Sequence, residues 1–405
     1  MPTVTGQPGP AMLQVDVTQS CRSANSSGIQ VVTRKLFGAL RAQAQVEPVA
    51  WDSILRRYAR LGPTEIKRME TPFPNNYRPT ARPNKKDNPL WKTLVSSIFR
   101  LSRRIKWEEF HLRGNAMLFP EVFRDARTRI LPRKLSSTIP SSAIFYDVYV
   151  LKESEKTPPA RALNFMEYAK FAASRDLVLC ISNETKEDLQ RLIMPQVERP
   201  GYSAVEPLPV ERPEKIPESP ANGELPLILC VSTLGYQKNH FLLLDAADKL
   251  WQEGIDFRLE LIGKADPTWS SRVIARIDKL KASGRNLSWL RHVDDKALCD
   301  RYRQSTFTVY PSRYEGFGLP ILESIAHGKP CICGSNGAIG EVSSGGGCLQ
   351  VDQNDLESLA AGIKKLLEDE SLVKKLRDQA LRRELGSWEG YAERFLERFG
   401  EISGE

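Results

Sequence analysis

The stretch STFTVYPSRYEGFGLPILESIAHGKPCICG, residues 305–334, decides the fold. Its two ends are short and apolar, with the length and composition of buried strands. Between them, the turn RYEGFG carries Gly316 and Gly318, and a helix follows with Pro320 in its first turn. A strand, a tight turn, a helix and a second strand in this order predict one unit of a parallel sheet.

The same alternation continues on both sides of this stretch. From residue 225 onward, apolar runs such as LPLILCVST and FRLELIG alternate with helical patterns of about 10–15 residues. The first half has the same style less regularly, with strands predicted at AMLQVDV, SSAIFYDVYV and DLVLCIS and a helix that opens at Ser27–Gly28. The sequence therefore predicts an α/β protein built on parallel sheets.

A proline-rich segment divides the chain nearly in half. Residues 194–226 carry eight prolines and two glycines, a density that argues against a helix or a central strand. An extended linker is predicted over residues 194–224, between a first domain at 1–193 and a second at 225–386. The last helix, 387–405, follows the completed second sheet and is expected to cross back onto the first domain.

The turn before Pro320 is suited to binding an anion. The free N–H groups and the positive end of a helix are expected there, at the carboxyl edge of a parallel sheet. Glu323 is predicted in the first turn of this helix, where a carboxylate can accept hydrogen bonds from vicinal hydroxyls. Glu315 and Glu323 could be a catalytic pair, ligand-binding groups or the polar rim of a helix, and the local pattern leaves all three open.

The segment PSRYEGFGLPILESIAHGKPCICGSNGAIGEV, residues 311–342, resembles the E-x7-E signature of the retaining GT-B glycosyltransferases of family 4. The resemblance implies two Rossmann-like β/α/β domains that face each other across a cleft. It also implies that Glu315 faces the transferred sugar, that Glu323 binds the nucleotide ribose and that Lys238 contacts the donor diphosphate. The same resemblance implies Gly316, Phe317, Gly318, Leu319 and Gly28 for the diphosphate, and His292 and Val293 for the ribose or base.

Two positions depart from the family pattern. Many members have an arginine five positions before the lysine, and this chain has Thr233 there, so a phosphate-binding cation is missing or comes from elsewhere. Lys264 and Arg34 are the predicted replacements. Many relatives have His-Asp near the reacting centre, where this chain has Tyr146-Asp147. By resemblance these two residues take a catalytic position, but Asp147 could instead cap the loop after a buried strand.

The resemblance implies a retaining hexosyltransferase that moves a sugar from a nucleotide-diphosphate donor, of the GDP-mannose type, to a saccharide or lipid-linked glycan. Polysaccharide or lipopolysaccharide biosynthesis at the cell surface is the implied setting. The sequence has no D-x-D triplet, which favours a metal-independent enzyme with no cofactor. Two alternatives stay open: a nucleotide-sugar epimerase or phosphorylase on a similar scaffold, and a binding protein without turnover.

The net charge of +8 is unevenly distributed along the chain. Residues 51–134 contain 20 Lys and Arg against 8 Asp and Glu. This excess predicts either a solvated basic surface or a transient contact with an anionic membrane, and no recognition motif favours nucleic acid. Because the sequence lacks a signal peptide, a long apolar run and a disulfide pattern, a cytoplasmic location is expected, peripheral at the inner face of the membrane.

Overall fold

The chain divides into two compact units. Unit 1 comprises Met1–Leu208 and Ser387–Glu405, and unit 2 comprises Pro209–Gly386. The computed structural model describes residues 12–22, 27–70, 97–106, 115–135, 139–153, 157–214, 216 and 225–403. The basic stretch 51–134 and the predicted linker therefore lie partly outside the described residues.

Unit 1 is an α/β unit. Its described strands are β1 Met12–Asp16, β2 Val46–Asp52, β3 Arg57–Arg60, β4 Asn115–Phe119, β5 Ser141–Phe145, β6 Leu177–Cys180 and β7 Tyr202–Val205. Its described α-helices are Gly28–Gln43, Pro63–Glu70, Arg127–Lys134, Tyr149–Lys152, Pro159–Ala173, Asn183–Asp188 and Trp388–Ser403. The strands form one sheet in the order β3-β2-β1-β4-β5-β6-β7. Its pairs are parallel except the antiparallel β2–β3 pair.

The first and last helices of unit 1 pack on each other. The helix Gly28–Gln43 starts after Ser27, as predicted, and the Gln30 side chain accepts a hydrogen bond from the Ser27 N–H at 3.2 Å. The side chains of Val32, Leu36 and Leu40 on this helix are buried. The helix Trp388–Ser403 contacts the same helix, so the last helix lies in unit 1, as the sequence predicts.

The proline-rich segment differs from the predicted linker. Tyr202–Val205 is strand β7 and pairs in parallel with β6, and unit 1 continues to Leu208. This short run has no proline. Because β7 lies at the edge of the sheet, the nearby prolines do not interrupt its hydrogen bonds with β6. The helix Asn183–Asp188 is capped by the Ser182 hydroxyl, which accepts a hydrogen bond from the Thr185 N–H.

Unit 2 repeats the α/β pattern with a sheet that is parallel throughout. Its strands are β8 Leu227–Val231, β9 Arg258–Ile262, β10 Leu287–Leu290, β11 Phe307–Tyr310, β12 Cys331–Cys333 and β13 Cys348–Gln350, in the order β10-β9-β8-β11-β12-β13. Its α-helices are His240–Gln252, Ser271–Ala282, Asp295–Gln304, Leu319–Ala326, Gly337–Ser343, Leu356–Glu368 and Glu370–Arg382. Strands β8, β9, β11 and β12 and the helix Leu319–Ala326 fall where the sequence predicts them.

Each unit has its own hydrophobic core. In unit 1, aromatic side chains pack between the sheet and the helices, among them Trp51, Phe119, Phe145 and Tyr168. In unit 2 the core is largely aliphatic, with both faces of β8 buried, as expected for a parallel sheet covered on both sides. Within the described residues, no helix has the length and hydropathy needed to cross a membrane.

Candidate active site

The order of the unit 2 sheet defines a crevice. Counted within the unit, the strand order is 3-2-1-4-5-6, and doubly wound sheets of this order bind ligands at the carboxyl ends of strands 1 and 4. These strands are β8 and β11, and the loops at 232–239 and 311–318 leave the sheet there. The Arg313 N–H donates to the Gln237 carbonyl at 2.8 Å and joins the two loops.

Lys238 and Glu315 meet in this crevice. The Lys238 ammonium is ion-paired with Glu315 Oε1 and donates to the Tyr310 hydroxyl at 2.8 Å. The Ser312 hydroxyl donates to the same Glu315 oxygen at 2.6 Å. Both charged side chains keep 16% of their surface exposed, so the pair is partly desolvated yet open to a ligand. The structure thus brings together the two residues expected at the diphosphate and at the sugar.

Tyr310 and Ser312 were not predicted from the sequence as site residues. Burial, followed by the Glu315 carboxylate, raises the pKa of Tyr310 well above its usual value, so the hydroxyl stays protonated. Its oxygen can then accept the bond from Lys238 while its proton serves a neighbour. A polar residue at the carboxyl end of a central parallel strand is the signal that could have identified Tyr310.

The helix Leu319–Ala326 begins at the same crevice. Its N-cap, Gly318, has φ of 118°, a backbone conformation that other residues adopt only under strain. Gly316, Phe317 and Gly318 are buried, and Pro320 is the second helical residue. The N–H groups at the start of the helix carry its positive end, which favours an anion such as a diphosphate.

Glu323 lies in the second turn of this helix. The prediction of the first turn was wrong by one residue, because the helix begins at Leu319 and Glu323 is its fifth residue. Its Oε2 accepts a hydrogen bond from the Tyr302 hydroxyl at 3.3 Å. Burial raises the pKa of Glu323. The Tyr302 ring in turn stacks on His327, with 4.4 Å between ring centroids, so the carboxylate is held by a packed support.

The loop after β8 ends in two residues whose polar atoms are only partly paired. Asn239 has φ of 54°, and its Nδ2 donates to the Gln353 carbonyl at 2.6 Å. His240 Nε2 lies 3.0 Å from the Ser232 hydroxyl. Burial, and then the Lys238 charge, lower the pKa of His240 to about 3, so its ring is neutral. In the described structure, Asn239 Oδ1 and His240 Nδ1 are buried without a hydrogen-bond partner.

His292 and Val293 lie at the carboxyl end of β10, before the helix Asp295–Gln304. His292 is exposed, while Val293 packs against the cluster that contains Tyr302. Val293 is thus connected through Tyr302 to the support of Glu323, whereas His292 has a solvent-facing ring on the same loop.

Lys264 and Arg34 are the predicted substitutes for the cation missing at the exposed Thr233. Lys264 is exposed, and its carbonyl accepts from the Leu234 N–H at 2.8 Å, beside the loop after β8. Arg34 lies in unit 1, where its guanidinium donates to the Ser20 carbonyl at 2.9 Å and the Arg68 carbonyl at 3.1 Å. A third cation, Arg313, lies on the loop that carries Glu315 and was not predicted from the sequence.

Arg313 lies beside the turn that carries Lys238. Its guanidinium stands 4.8 Å over the ring of Tyr236, the first residue of the turn Tyr236–Lys238. Cation–π contact of this kind orients a guanidinium without neutralising its charge. Arg313 therefore adds positive charge to the crevice of unit 2.

The predicted catalytic residues of unit 1 follow strand β5. Tyr146 is buried, and its hydroxyl donates to the Pro120 carbonyl at 2.7 Å. Asp147 is half-buried, and its Oδ1 accepts from the Tyr149 N–H at 2.9 Å, at the start of the helix Tyr149–Lys152. Asp147 thus has the loop-capping contact that the sequence analysis named as the alternative. Gly28 is the exposed first residue of its helix.

The same edge of unit 1 carries two buried carboxylates that the sequence analysis missed. Asp16, the last residue of β1, pairs with Arg127 at 2.7 Å and accepts from the Tyr58 hydroxyl at 2.6 Å. Glu121 follows β4 and accepts from the N–H groups of Gln19 at 2.6 Å and Ser20 at 2.7 Å. Burial and the nearby Asp16 raise the pKa of Glu121 to about 7.

Comparison with known proteins matches most of unit 2 to a family model. Residues 211–383 match the family model of the glycosyl transferases, group 1. The chain is 30% identical over 257 residues to the O-antigen chain mannosyltransferase B of Escherichia coli, covering 60% of this chain and 64% of that protein. It is 33% identical over 115 residues to the serotype-specific mannosyltransferase WbdA of Escherichia coli, or 28% of this chain and 14% of that protein.

Solved structures share the fold over nearly the whole chain. Sucrose-phosphate synthase from Thermosynechococcus elongatus superposes with a TM-score of 0.68 and 17% identity, covering 97% of this chain and 99% of that one. The catalytic domain of starch synthase IV from Arabidopsis thaliana gives 0.64 and 11% identity, over 98% and 100%. These likenesses show the GT-B fold, with two Rossmann-like units, as predicted.

Proposed function

Because residues 211–383 belong to the group 1 glycosyl transferases, we propose that the chain transfers a sugar from a nucleotide-diphosphate sugar to a glycan acceptor. The observation that carries this proposal is the convergence of Lys238, Glu315 and the start of the helix Leu319–Ala326 at the switch point of the unit 2 sheet. That combination offers positive charge, backbone donors and a carboxylate within one crevice.

The reaction needs stabilisation of the negative charge that builds on the departing diphosphate. The helix N-terminus supplies fixed N–H dipoles, and Lys238 supplies a cation held in place by Tyr310. In the ligand-free chain Lys238 is neutralised by Glu315. A bound diphosphate would share Lys238 and release Glu315 to orient a sugar hydroxyl. Glu315 is then a sugar-binding group and not a nucleophile.

Glu323 is assigned to the nucleotide ribose. Its carboxylate is half-buried beside the crevice, and one oxygen already accepts from Tyr302. A vicinal diol can donate to the remaining lone pairs, and hydrogen bonds to a charged acceptor are stronger than neutral ones. Arg313 is assigned to the diphosphate in place of the cation missing at Thr233, since it is positioned in the same unit by Tyr236.

Mannose is the proposed sugar and GDP-mannose the proposed donor, with retention of configuration. This choice rests on the two Escherichia coli mannosyltransferases, which act in O-antigen or serotype-specific contexts by their names. A growing surface polysaccharide is the corresponding acceptor. The chain spans 64% and 14% of the lengths of these relatives, and the complete activity, acceptor and setting are proposals.

A thermal-shift series with GDP-, UDP-, dTDP- and ADP-sugars tests the donor, since a ligand that binds only the folded state raises the melting temperature. We expect the largest shift with GDP-mannose. Glu323→Ala should weaken the binding of GDP-mannose by about tenfold or more, because the substitution removes hydrogen bonds to a charged group. Glu357→Ala is the matched control, since that side chain is 69% exposed in the same unit.

Transfer is then measured with radiolabelled donor and oligosaccharide acceptors. Transfer of mannose to an acceptor, with retention of the anomeric configuration of the donor, supports the proposal. Equal donor affinity in Glu323→Ala and the wild type would remove the ribose assignment. A melting temperature unchanged by every nucleotide sugar would remove the proposed function itself.

A nucleotide- or glycan-binding protein without turnover is the second candidate. It is favoured by Tyr146, whose hydroxyl is engaged by the Pro120 carbonyl, and by the exposed Thr233 in place of a cation. Donor binding without transfer to any tested acceptor would support it. Epimerised sugar formed from donor alone would instead support the epimerase alternative.

A further inference from the structure

Unit 1 has a surface where large apolar side chains face the solvent. Ile98, Phe99 and Leu101 are 61%, 69% and 44% exposed, and Ile54 is 48% exposed. Single exposed apolar residues are common, but three within four positions on one short helical turn are not scattered. We call these four residues, with the exposed cations described below, the apolar–basic patch.

The two segments of the patch are tied to one buried carboxylate. Asp52, at the end of β2, accepts from the Ile54 N–H at 3.0 Å, from the Ser97 hydroxyl at 2.9 Å and from Arg100 at 3.4 Å. Ser97 and Arg100 are buried. The helical turn therefore anchors itself with its polar residues, and its apolar residues are left on the outer side.

Arg100 also pairs with Glu65 on the helix Pro63–Glu70. This brings a third segment beside the patch. Residues 53–68 and 97–106 together contain nine Lys and Arg and one acidic residue, Glu65, whose charge is already engaged by Arg100. The exposed cations on these segments include Arg56, Lys67, Arg104 and Lys106.

We propose that the apolar–basic patch docks the chain on an anionic lipid bilayer. Cations attract the acidic headgroups, while exposed aromatic and aliphatic side chains gain by entering the boundary between headgroups and acyl chains. A hydrophilic polyanion would use the cations but leave Ile98, Phe99 and Leu101 in water. The mixture of both chemistries on one surface therefore selects the bilayer.

The place of the patch in the sheet gives this docking a use. Strand β2 is parallel to β1, so Asp52 and the turn after it lie at the same edge as Asp16 and the loop that leads to Gly28. If the proposed function holds, a glycan acceptor anchored in the bilayer would arrive at this edge. Docking itself does not depend on that function and is tested without a donor or an acceptor.

The test is co-sedimentation of the full chain with vesicles of phosphatidylcholine alone and of phosphatidylcholine with about 30% phosphatidylglycerol. We expect binding to the anionic vesicles that falls steeply between low and high salt. Each cation near an anionic surface contributes about fivefold to binding, so Arg104→Glu with Lys106→Glu should reduce partition by tenfold or more. Ile98→Ser with Phe99→Ser should reduce it comparably while keeping the charge.

Matched controls separate docking from general effects. Leu163→Ser removes an equally exposed apolar side chain, 69%, elsewhere in unit 1, and Lys279→Glu with Lys281→Glu changes two exposed lysines of unit 2. Both should bind as the wild type does, and circular dichroism should show that all variants are folded. Equal binding to neutral and anionic vesicles, or unchanged binding by both patch variants, would overturn the proposal. So would binding to RNA that the Ile98→Ser, Phe99→Ser variant retains while no vesicle binding is seen.

Discussion

The carboxyl edges of the two sheets have different chemistry. In unit 1 the charged groups at this edge have protein partners: Asp16 pairs with Arg127, Glu121 holds Gln19 and Ser20, and Asp147 caps a helix. In unit 2 the edge carries a helix start and the ion pair of Lys238 and Glu315, and polar atoms of Asn239 and His240 are unpaired within the described structure.

This difference distinguishes groups that stabilise the fold from groups that are available to bind a ligand. Charges that are paired inside one unit fix the shape of its loops but have little capacity left for a ligand. Groups that are partly paired at a switch point are costly to the fold unless a ligand completes them, which is common at functional sites. Substitutions at the edge of unit 1 should therefore affect stability first, and those at the edge of unit 2 should affect activity first.

Arg127→Leu should give the largest effect. It leaves the buried Asp16 carboxylate without its cation and removes a guanidinium that also pairs with Asp125 and stacks 4.0 Å over Phe123. Breaking a buried pair from one side costs about 3–5 kcal/mol in the free energy of unfolding. Urea denaturation measures it. The control Arg129→Leu, with a side chain 75% exposed, should change the stability by less than about 0.5 kcal/mol.

Lys238→Gln should lower turnover without comparable loss of stability. Removing one group that stabilises developing negative charge costs about 100- to 1000-fold in rate. Steady-state kinetics with the nucleotide sugar measures it, and Lys281→Gln, an exposed position in the same unit, should keep the wild-type rate. If Lys238→Gln lost stability as Arg127→Leu does and kept its rate, the contrast between the two edges would be wrong.

The pH dependence of stability should have opposite signs at the two edges. The pKa of Glu121 is raised to about 7, so the folded protein binds this proton more tightly than the unfolded chain does. The contribution of Glu121 to the free energy of unfolding is therefore lost as the pH rises from 4.5 to 7. His240 has a pKa lowered to about 3, so its contribution is present above pH 6.5 and is lost as the pH falls. Each pKa unit corresponds to about 1.4 kcal/mol.

Denaturation between pH 5 and 7 tests both signs. Glu121→Gln should remove a contribution to the free energy of unfolding that falls with rising pH. His240→Gln should remove a contribution that rises with pH. Identical slopes in the two variants and the wild type would show that neither group is linked to folding.

Arg313→Gln should have a smaller effect, on donor affinity and not on stability. Loss of one cation near a diphosphate is expected to weaken binding by about tenfold, since a hydrogen bond to a charged group is worth about 1.5–3 kcal/mol. Isothermal titration with the donor measures it. Arg303→Gln, a surface pair with Asp300, is the control. If Lys264→Gln weakens donor binding and Arg313→Gln does not, Lys264 is the cation that substitutes for the one missing at Thr233.

Removal of divalent metals should have the smallest effect. Among the described residues, no three His, Cys, Asp or Glu side chains are grouped so that they could hold a metal ion, and metal independence is a prediction from the absence of D-x-D. We expect unchanged transfer in EDTA. Activity lost in EDTA and restored by Mg²⁺ or Mn²⁺ would contradict it.

Local sequence signals were sufficient for unit 2. The helix Ser271–Ala282 and strand β11 have clear periodicity and clear ends, and the glycines and Pro320 mark the turn where the site is formed. Lys238 and Glu315 were predicted as binding groups from the family resemblance. Their direct ion pair, and the part of Tyr310 in it, depend on two loops meeting at a sheet edge, which no local pattern specifies.

Unit 1 was harder to predict because the pairing of its strands depends on contacts between residues that are far apart in the sequence. Strand β2 contains Pro48, and β7 lies in a proline-rich segment, so both pair at positions where sequence patterns argue against strands. Arg127 finds Asp16 across 111 positions of sequence. The basic residues at 51–134 predict a charged surface. The grouping of Ile54 with Phe99 depends on contacts of Asp52, and neither sequence segment alone predicts it.

The two ends of unit 2 are close to each other. The Val210 N–H donates to the Leu385 carbonyl at 3.2 Å, and Gly386 lies against Pro209. In sequence, unit 2 is a module inserted between Leu208 and Ser387 of unit 1. Domains with adjacent ends tolerate excision and transplantation. Unit 2 could therefore be exchanged between related chains as one cassette, with two neighbouring junctions.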